Sequence, residues 1–116
     1  MKIYIGSDHA GFELKDKLIN YLISLDFEIS DEGAFQYNET DDYPDFISKV
    51  AKKVSENPEN SRGIILGGSG QGEAIVANRF EKIRAVVYYG GNEEVIKLSR
   101  EHNDSNVLAL GARFID

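Results

Sequence analysis

The chain has 116 residues, 41% of them hydrophobic and 28% charged, with a formal net charge of -7. That length holds one domain and one core, the balance excludes a disordered chain, and the acidic surplus disfavours nucleic acid as a partner. No apolar run nears the ~18 residues of a membrane span, Met1-Lys2-Ile3 opens directly on strand-like sequence, and the absence of cysteine excludes disulfide and thiolate chemistry, making a cytoplasmic location the default.

In chain order, Ile3-Tyr4-Ile5 predicts a first strand, ended by Gly6-Ser7. Leu14, Leu18, Leu22 and Leu25, at spacings of four, four and three, predict an amphipathic helix. Phe27-Glu28-Ile29 predicts a short second strand. The polar, turn-rich stretch from Asp31 to Asp45 is too long for a minimal connector, and loops of that length often carry function. Phe46, Ile47, Val50, Ala51 and Val54 mark a second helix, stopped near Asn57-Pro58. Gly63 to Leu66 predicts a third strand and Ala74 to Asn78 the heart of a third helix. Ala85-Val86-Val87-Tyr88 follows as a fourth strand, Glu93 to His102 as a fourth helix, and Val107-Leu108-Ala109-Leu110 as a fifth strand broken by Gly111. Strands alternating with helices predict a single α/β domain over residues 1–116, a three-layer αβα sandwich. Its open five-stranded sheet is mostly parallel and Rossmann-like.

The stretch Gly67-Gly68-Ser69-Gly70-Gln71-Gly72-Glu73 stands between the third strand and the third helix. Four glycines in six residues let the backbone approach a ligand closely, with N–H groups aimed at an anion. Taken alone, such a cluster reads as a tight connecting turn. It is not a Walker A loop, because no Lys-Ser/Thr pair closes it, and its glycines at 68, 70 and 72 miss the G-x-G-x-x-G spacing. Its setting gives it weight. If strands two and three flank strand one, their connections diverge, and ligands bind in the crevice at such a switch point. The loops there are Ser7-Asp8-His9-Ala10-Gly11 and Gly67 to Glu73, the two richest in glycine and reactive groups.

Gly6-Ser7-Asp8-His9-Ala10-Gly11-Phe12, the glycine loop with Ala77-Asn78, and Ser99-Arg100-Glu101-His102-Asn103-Asp104 together resemble the ribose-5-phosphate isomerase B family. Asp42-Tyr43-Pro44-Asp45 and Gly111-Ala112-Arg113 fit the same pattern. That family also takes in galactose-6-phosphate and allose-6-phosphate isomerases. The resemblance implies an aldose–ketose isomerase of the pentose phosphate pathway that works without metal or organic cofactor. It implies a homodimer, or a dimer of dimers, with shared active sites. Many members carry a catalytic cysteine where this chain has Gly67. A second branch uses a glutamate a few positions on, which Glu73 matches. Members usually continue for roughly one more helix beyond the position of Asp116. The chain is therefore expected to lack that helix and its phosphate-binding arginines, as a fragment or as a short form.

Isomerisation removes a proton beside a carbonyl and leaves an enediolate. Glu73, the only carboxylate of the glycine loop, is the candidate base, provided burial raises its pKa enough to offset the helix start. Ser69 is either a proton carrier between the substrate oxygens or a helix cap, and the N–H groups of Gly70, Gln71 and Gly72, next to Gly68, form a candidate anion hole. By resemblance, Asp8 meets sugar hydroxyls or the ring oxygen, His9 helps hold phosphate, and Tyr43 lines the sugar cavity. His102 is the implied acid/base for ring opening, since histidine is the side-chain type that gives and takes a proton near neutral pH, and Arg113 binds phosphate through charge-assisted bonds. His102, Asn103 and Arg113 are implied to enter a partner's site. Two histidines 93 positions apart (102 minus 9) give no metal-ligand spacing. Ribose 5-phosphate, a six-carbon sugar phosphate, and a non-catalytic phosphate-ligand-binding module all remain open.

Overall fold

A computed structural model describes residues 1–33 and 43–115, with side chains from residue 46 onward in the second part. Its strands are β1 (Lys2–Ser7), β2 (Glu28–Asp31), β3 (Ser61–Gly67), β4 (Ala85–Tyr88) and β5 (Val107–Gly111). The helices are α1 (Phe12–Ser24), α2 (Tyr43–Glu56), α3 (Gln71–Ala77) and α4 (Glu94–Asn103), and a 3-10 turn covers His9–Gly11. The strands lie in the order β2-β1-β3-β5-β4, every pair parallel. The alternating pattern of the sequence is thus realised as an α/β sheet. No helix among the described residues is long and apolar enough to cross a membrane.

Several of the predicted boundaries move: β1 runs on through Gly6 and Ser7, β3 begins at Ser61, and α4 is shifted by one residue. β2 starts one residue later than expected and runs on to Asp31, because β1 offers partners as far as Ile5 opposite Asp31. Phe27 is left exposed. At the far side of the polar stretch, Tyr43 already opens α2, and Pro44 is tolerated in a first turn because its missing N–H would have no intrahelical partner there. The rest of that stretch, 34–42, lies outside the described residues.

Each face of the sheet carries its own core. α2 buries Ile47, Val50, Ala51 and Val54, and α3 buries Ala74 and Ala77, against Ile65, Val107 and Ala109. Fully burying a Val or Ile contributes roughly 1.5–3 kcal/mol, so this face anchors the fold. On the other face Ile5, Leu66 and Leu110 meet Leu14, Leu18 and Ile19 of α1. Ile96 and Ser99 of α4 face Ile3, Ile64 and Leu108 across a cavity of about 180 Å³. β1 sits between β2 and β3, so α1 and α3 leave neighbouring strands in opposite directions. That divergence is the predicted switch point, and it opens at the carboxyl ends of β1 and β3.

Candidate active site

Three turns meet at that end of the sheet. The first follows β1, where the Asp8 carboxylate accepts the Ala10 N–H at 2.9 Å and the Gly11 N–H at 3.3 Å. The Asp8 N–H bonds the Leu66 carbonyl at 3.3 Å, which ties this turn to β3. The second is the glycine loop. The third follows β5 and is stitched to the glycine loop by Ala112 N–H to Gly67 O at 2.7 Å and Arg113 N–H to Gly68 O at 3.1 Å. Between them lies a cavity of about 350 Å³ lined by Asp8, Ala10, Gly68, Ser69, Gly72, Glu73, Arg113 and Phe114.

Glu73 is 5% exposed. Its carboxylate lies where a side chain at position 67 would begin: a Cβ on Gly67 would overlap the Glu73 oxygen Oε1. Gly67 therefore makes the socket and Glu73 fills it. The same oxygen accepts the Gly70 N–H at 3.2 Å. Gly70 has φ +81°, a conformation that costs glycine little, and so turns the loop into α3. Burial pushes the Glu73 carboxyl above its usual range, and the neighbouring Asp8 charge adds to the push. The Gly70 N–H opposes both without cancelling them. The condition set for a useful base, burial outweighing the helix start, is met in direction.

Ser69 is exposed, and its Oγ accepts the Gln71 N–H at 3.2 Å. Two of the three N–H groups expected in the anion hole are therefore engaged by the chain's own side chains, Gly70 by Glu73 and Gln71 by Ser69. The Arg113 guanidinium lies over Gly68, 3.2 Å from where a Cβ there would stand. The cavity thus combines two carboxylates, one hydroxyl and one cation at the opening of a glycine loop.

This geometry coincides with the outcome of comparison with known proteins. Residues 3–116 match the family model described as Ribose/Galactose Isomerase. The chain belongs to this family. It is 42% identical over 113 residues to a ribose-5-phosphate isomerase B of Mycolicibacterium paratuberculosis, covering 97% of this chain and 69% of that one. Against its Escherichia coli counterpart it is 42% identical over 114 residues, covering 98% and 74%. The solved ribose-5-phosphate isomerase B of Mycoplasma genitalium with bound ribulose 5-phosphate superposes with a TM-score of 0.95 at 36% identity, over 99% of this chain and 74% of that chain. The Clostridium thermocellum structure gives 0.91 at 45% identity, over 99% and 75%.

Of the residues singled out in the sequence, Asp8, Gly68, Ser69, Gly72, Glu73 and Arg113 line one cavity. Gly70 and Gln71 form its loop, and His9 stands half-buried in the 3-10 turn beside it. His102 and Asn103 are elsewhere. They are exposed at the end of α4, beside the amino end of β5, which spans about 13 Å at roughly 3.3 Å per residue. They do not reach the cavity of their own chain. Arg113, grouped with them by resemblance, stands instead in its own chain's cavity. The Tyr43 side chain lies outside the described residues. Sequence reasoning missed Ala10 and Phe114, which also line the cavity. Phe114 packs edge-on against Tyr89 with ring centroids 6.2 Å apart. The available signal for Phe114 was its position just beyond Arg113.

Proposed function

We propose that this chain interconverts ribose 5-phosphate and ribulose 5-phosphate, with Glu73 as the base that moves the proton between the two carbons. The observation that carries this reading is the Glu73 carboxylate, buried in the space left by Gly67 and raised in pKa by burial and by Asp8. An ordinary helix-start glutamate is solvated and needs no such socket. A base with a raised pKa takes a proton more readily. Membership of the isomerase family and the ribulose 5-phosphate named for the Mycoplasma structure support the substrate class.

The remaining roles follow from position. Asp8 faces the sugar hydroxyls, Ser69 exchanges its bond to Gln71 for a substrate oxygen, and Gly72 offers its N–H from the loop. Arg113, with His9 from the first turn, takes the phosphate. Two carboxylates against one cation leave the cavity short of positive charge for a phosphate dianion. This balance favours a further contribution from a second copy of the chain. His102 and Asn103, exposed at the opposite end of the sheet, serve a partner's cavity in a homodimer with shared sites, where His102 opens the sugar ring. The 1–116 unit acts as one domain in the cytoplasm, and Tyr43 completes the sugar wall.

A coupled isomerase assay tests the reading. Activity on ribose 5-phosphate is expected to exceed that on galactose 6-phosphate and allose 6-phosphate, and Glu73→Gln is expected to lose about a hundredfold or more. Preference for a six-carbon sugar would move the substrate assignment. A Glu73→Gln variant that keeps its rate would remove the base.

A further inference from the structure

Lys15 heads the fully buried side chains when these are ranked by volume. It stands in the first turn of α1, where its ammonium meets both oxygens of Asp31, at 2.8 and 3.1 Å. The Phe12 ring lies 5.5 Å from the same nitrogen. The isomerisation proposed above uses neither Lys15 nor Asp31. Burying such a pair contributes little stability by itself, because desolvation offsets the attraction, and apolar side chains of similar volume often serve as well or better. The neighbouring Leu14 and Leu18 pack α1 on the sheet without any charge.

What distinguishes the pair is what Asp31 holds. Its Oδ1 also accepts the Gly33 N–H at 2.9 Å. Gly33 has φ 110°, where a side chain would be strained. Its carbonyl receives the Ser7 N–H at 2.8 Å, and the Glu32 N–H reaches the Ile5 carbonyl at 2.8 Å. Asp8 comes next along the chain, 8% exposed, its carboxylate lining the cavity that also holds Glu73. A continuous run of bonds therefore leads from an ion pair with a buried lysine and a half-buried aspartate to the residue that faces the candidate base.

We propose that the Lys15–Asp31 pair is a positioning device for this site: it fixes the Gly33 carbonyl, which through the Ser7 N–H sets where the Asp8 carboxylate stands against Glu73. The inference rests on the reading of Glu73 as base and Asp8 as its neighbour. Among the described residues, the charged groups that share the cavity with Glu73 are Asp8 from the β1 turn and Arg113 from the β5 turn, and α3 carries no other charge. If Asp8 drifts away, the Glu73 carboxyl falls back toward its usual range, since the Asp8 charge is one of the two causes that raise it.

The decisive variant is the double swap Lys15→Met with Asp31→Leu, which removes both charges of the ion pair together. It is expected to melt near the wild-type temperature. Its kcat/KM on ribose 5-phosphate is expected to fall at least tenfold, since misplacing a group by about 1 Å can cost a hundredfold. A carbon-13 NMR titration of Glu73 in the ligand-free protein is expected to move to lower pH, a change that loss of stability alone does not produce. The pair Lys15→Gln with Asp31→Asn keeps an acceptor for Gly33 and a bond across the contact, and is expected to restore both readouts. A double swap with unchanged rate or unchanged Glu73 titration overturns the proposal. So does a folded amide pair that fails to restore them, and this second arm stands even if the apolar swap does not fold. The titration reads Asp8 placement without any turnover. If it moves while Glu73→Gln proves fully active, the base assignment fails separately from the positioning.

Discussion

At the carboxyl end of the sheet the backbone itself forms the surface, whereas at the amino end arginine side chains do. The carboxyl end joins Gly67 and Gly68 to the β5 turn through main-chain bonds, and into that frame sets the buried Glu73 carboxylate, which among the described residues has no cation in hydrogen-bonding range. At the amino end the Arg84 Nε donates to the Asp104 carbonyl at 2.6 Å and its terminal nitrogen to the Asp104 carboxylate at 3.2 Å. Arg100 adds bonds to the Asp104 carboxylate and the Ser105 carbonyl, and Arg62 caps Ser61 and Pro58. Burial and the nearby Arg100 pull the Arg62 pKa down, yet arginine remains charged. These arginines complete the turn that Asp104, at φ +48°, makes after α4, and exposed pairs of this kind contribute little energy each. One end is built to hold a reactive group under strain of charge. The other is built to satisfy carbonyls and to hold His102 and Asn103 outward.

The sharpest way to break the contrast is to fill the socket at the carboxyl end. Gly67→Ala adds a single methyl where the Glu73 carboxylate lies, so the carboxylate must leave. Activity is expected to fall about a hundredfold or more, as for loss of a general base, although position 67 itself carries no functional group. The folded state is expected to persist, because Gly67 ends β3 rather than filling either core. Steady-state rates with a melting curve check both. A fully active Gly67→Ala would mean that the base does not act from this socket.

The second experiment asks whether the two ends work together across subunits. Glu73→Gln and His102→Asn, each inactive alone, are mixed after subunit exchange. In a symmetric dimer about half of the molecules are hybrids with one intact site of two, so about a quarter of the wild-type rate is expected to return. Glu73→Gln mixed with Arg113→Ala is expected to show no recovery, because Arg113 lines the cavity of the chain that carries Glu73. Recovery in both mixtures would place Arg113 in the partner's site. Recovery in neither, with exchange verified by mass spectrometry, would return His102 to its own chain.

The same contrast explains what the sequence made legible. The alternation of apolar runs was enough for the parallel sheet, since both faces of each inner strand must be covered and Ile64, Ile65 and Leu66 say so. The glycine loop was legible because four glycines in six residues have few other uses. Two things were hidden for the same reason, that a side chain's burial depends on partners far along the chain. Leucine spacing described α1, but the residue that α1 buries completely is Lys15, whose partner Asp31 is sixteen positions on. Gly67 marked an absent side chain, but only folding shows that Glu73 occupies the vacated space. The cis placement of Arg113 was likewise beyond reach, because it follows from β5 lying beside β3 rather than at the sheet edge.

A third test sharpens the electrostatics of the carboxyl end. Asp8→Asn keeps an acceptor for the Ala10 and Gly11 N–H groups but removes the charge that helps to raise Glu73. The Glu73 carboxyl then falls in pKa, so the acid limb of the kcat/KM profile is expected to move to lower pH. A limb that stays in place would leave burial as the only effective cause.

The smallest expected effect is on stability, and its sign separates a functional carboxylate from a structural one. Because the folded state raises the Glu73 pKa, the folded protein holds that proton more tightly than the unfolded chain. Stability from this group is fully present below the ordinary glutamate range, where both states are protonated. It is lost as pH rises from that range through the folded pKa, since the unfolded state there binds fewer protons. Glu73→Gln removes the ionisation while its amide oxygen still accepts the Gly70 N–H. The variant is therefore expected to melt above wild type at pH 7. The difference is expected to close as the pH falls toward 4, and scanning calorimetry across that range measures it. A stabilising helix-start carboxylate gives the opposite pattern, with Glu73→Gln melting lower at pH 7. That result would turn Glu73 from a destabilised reactive group into an ordinary cap.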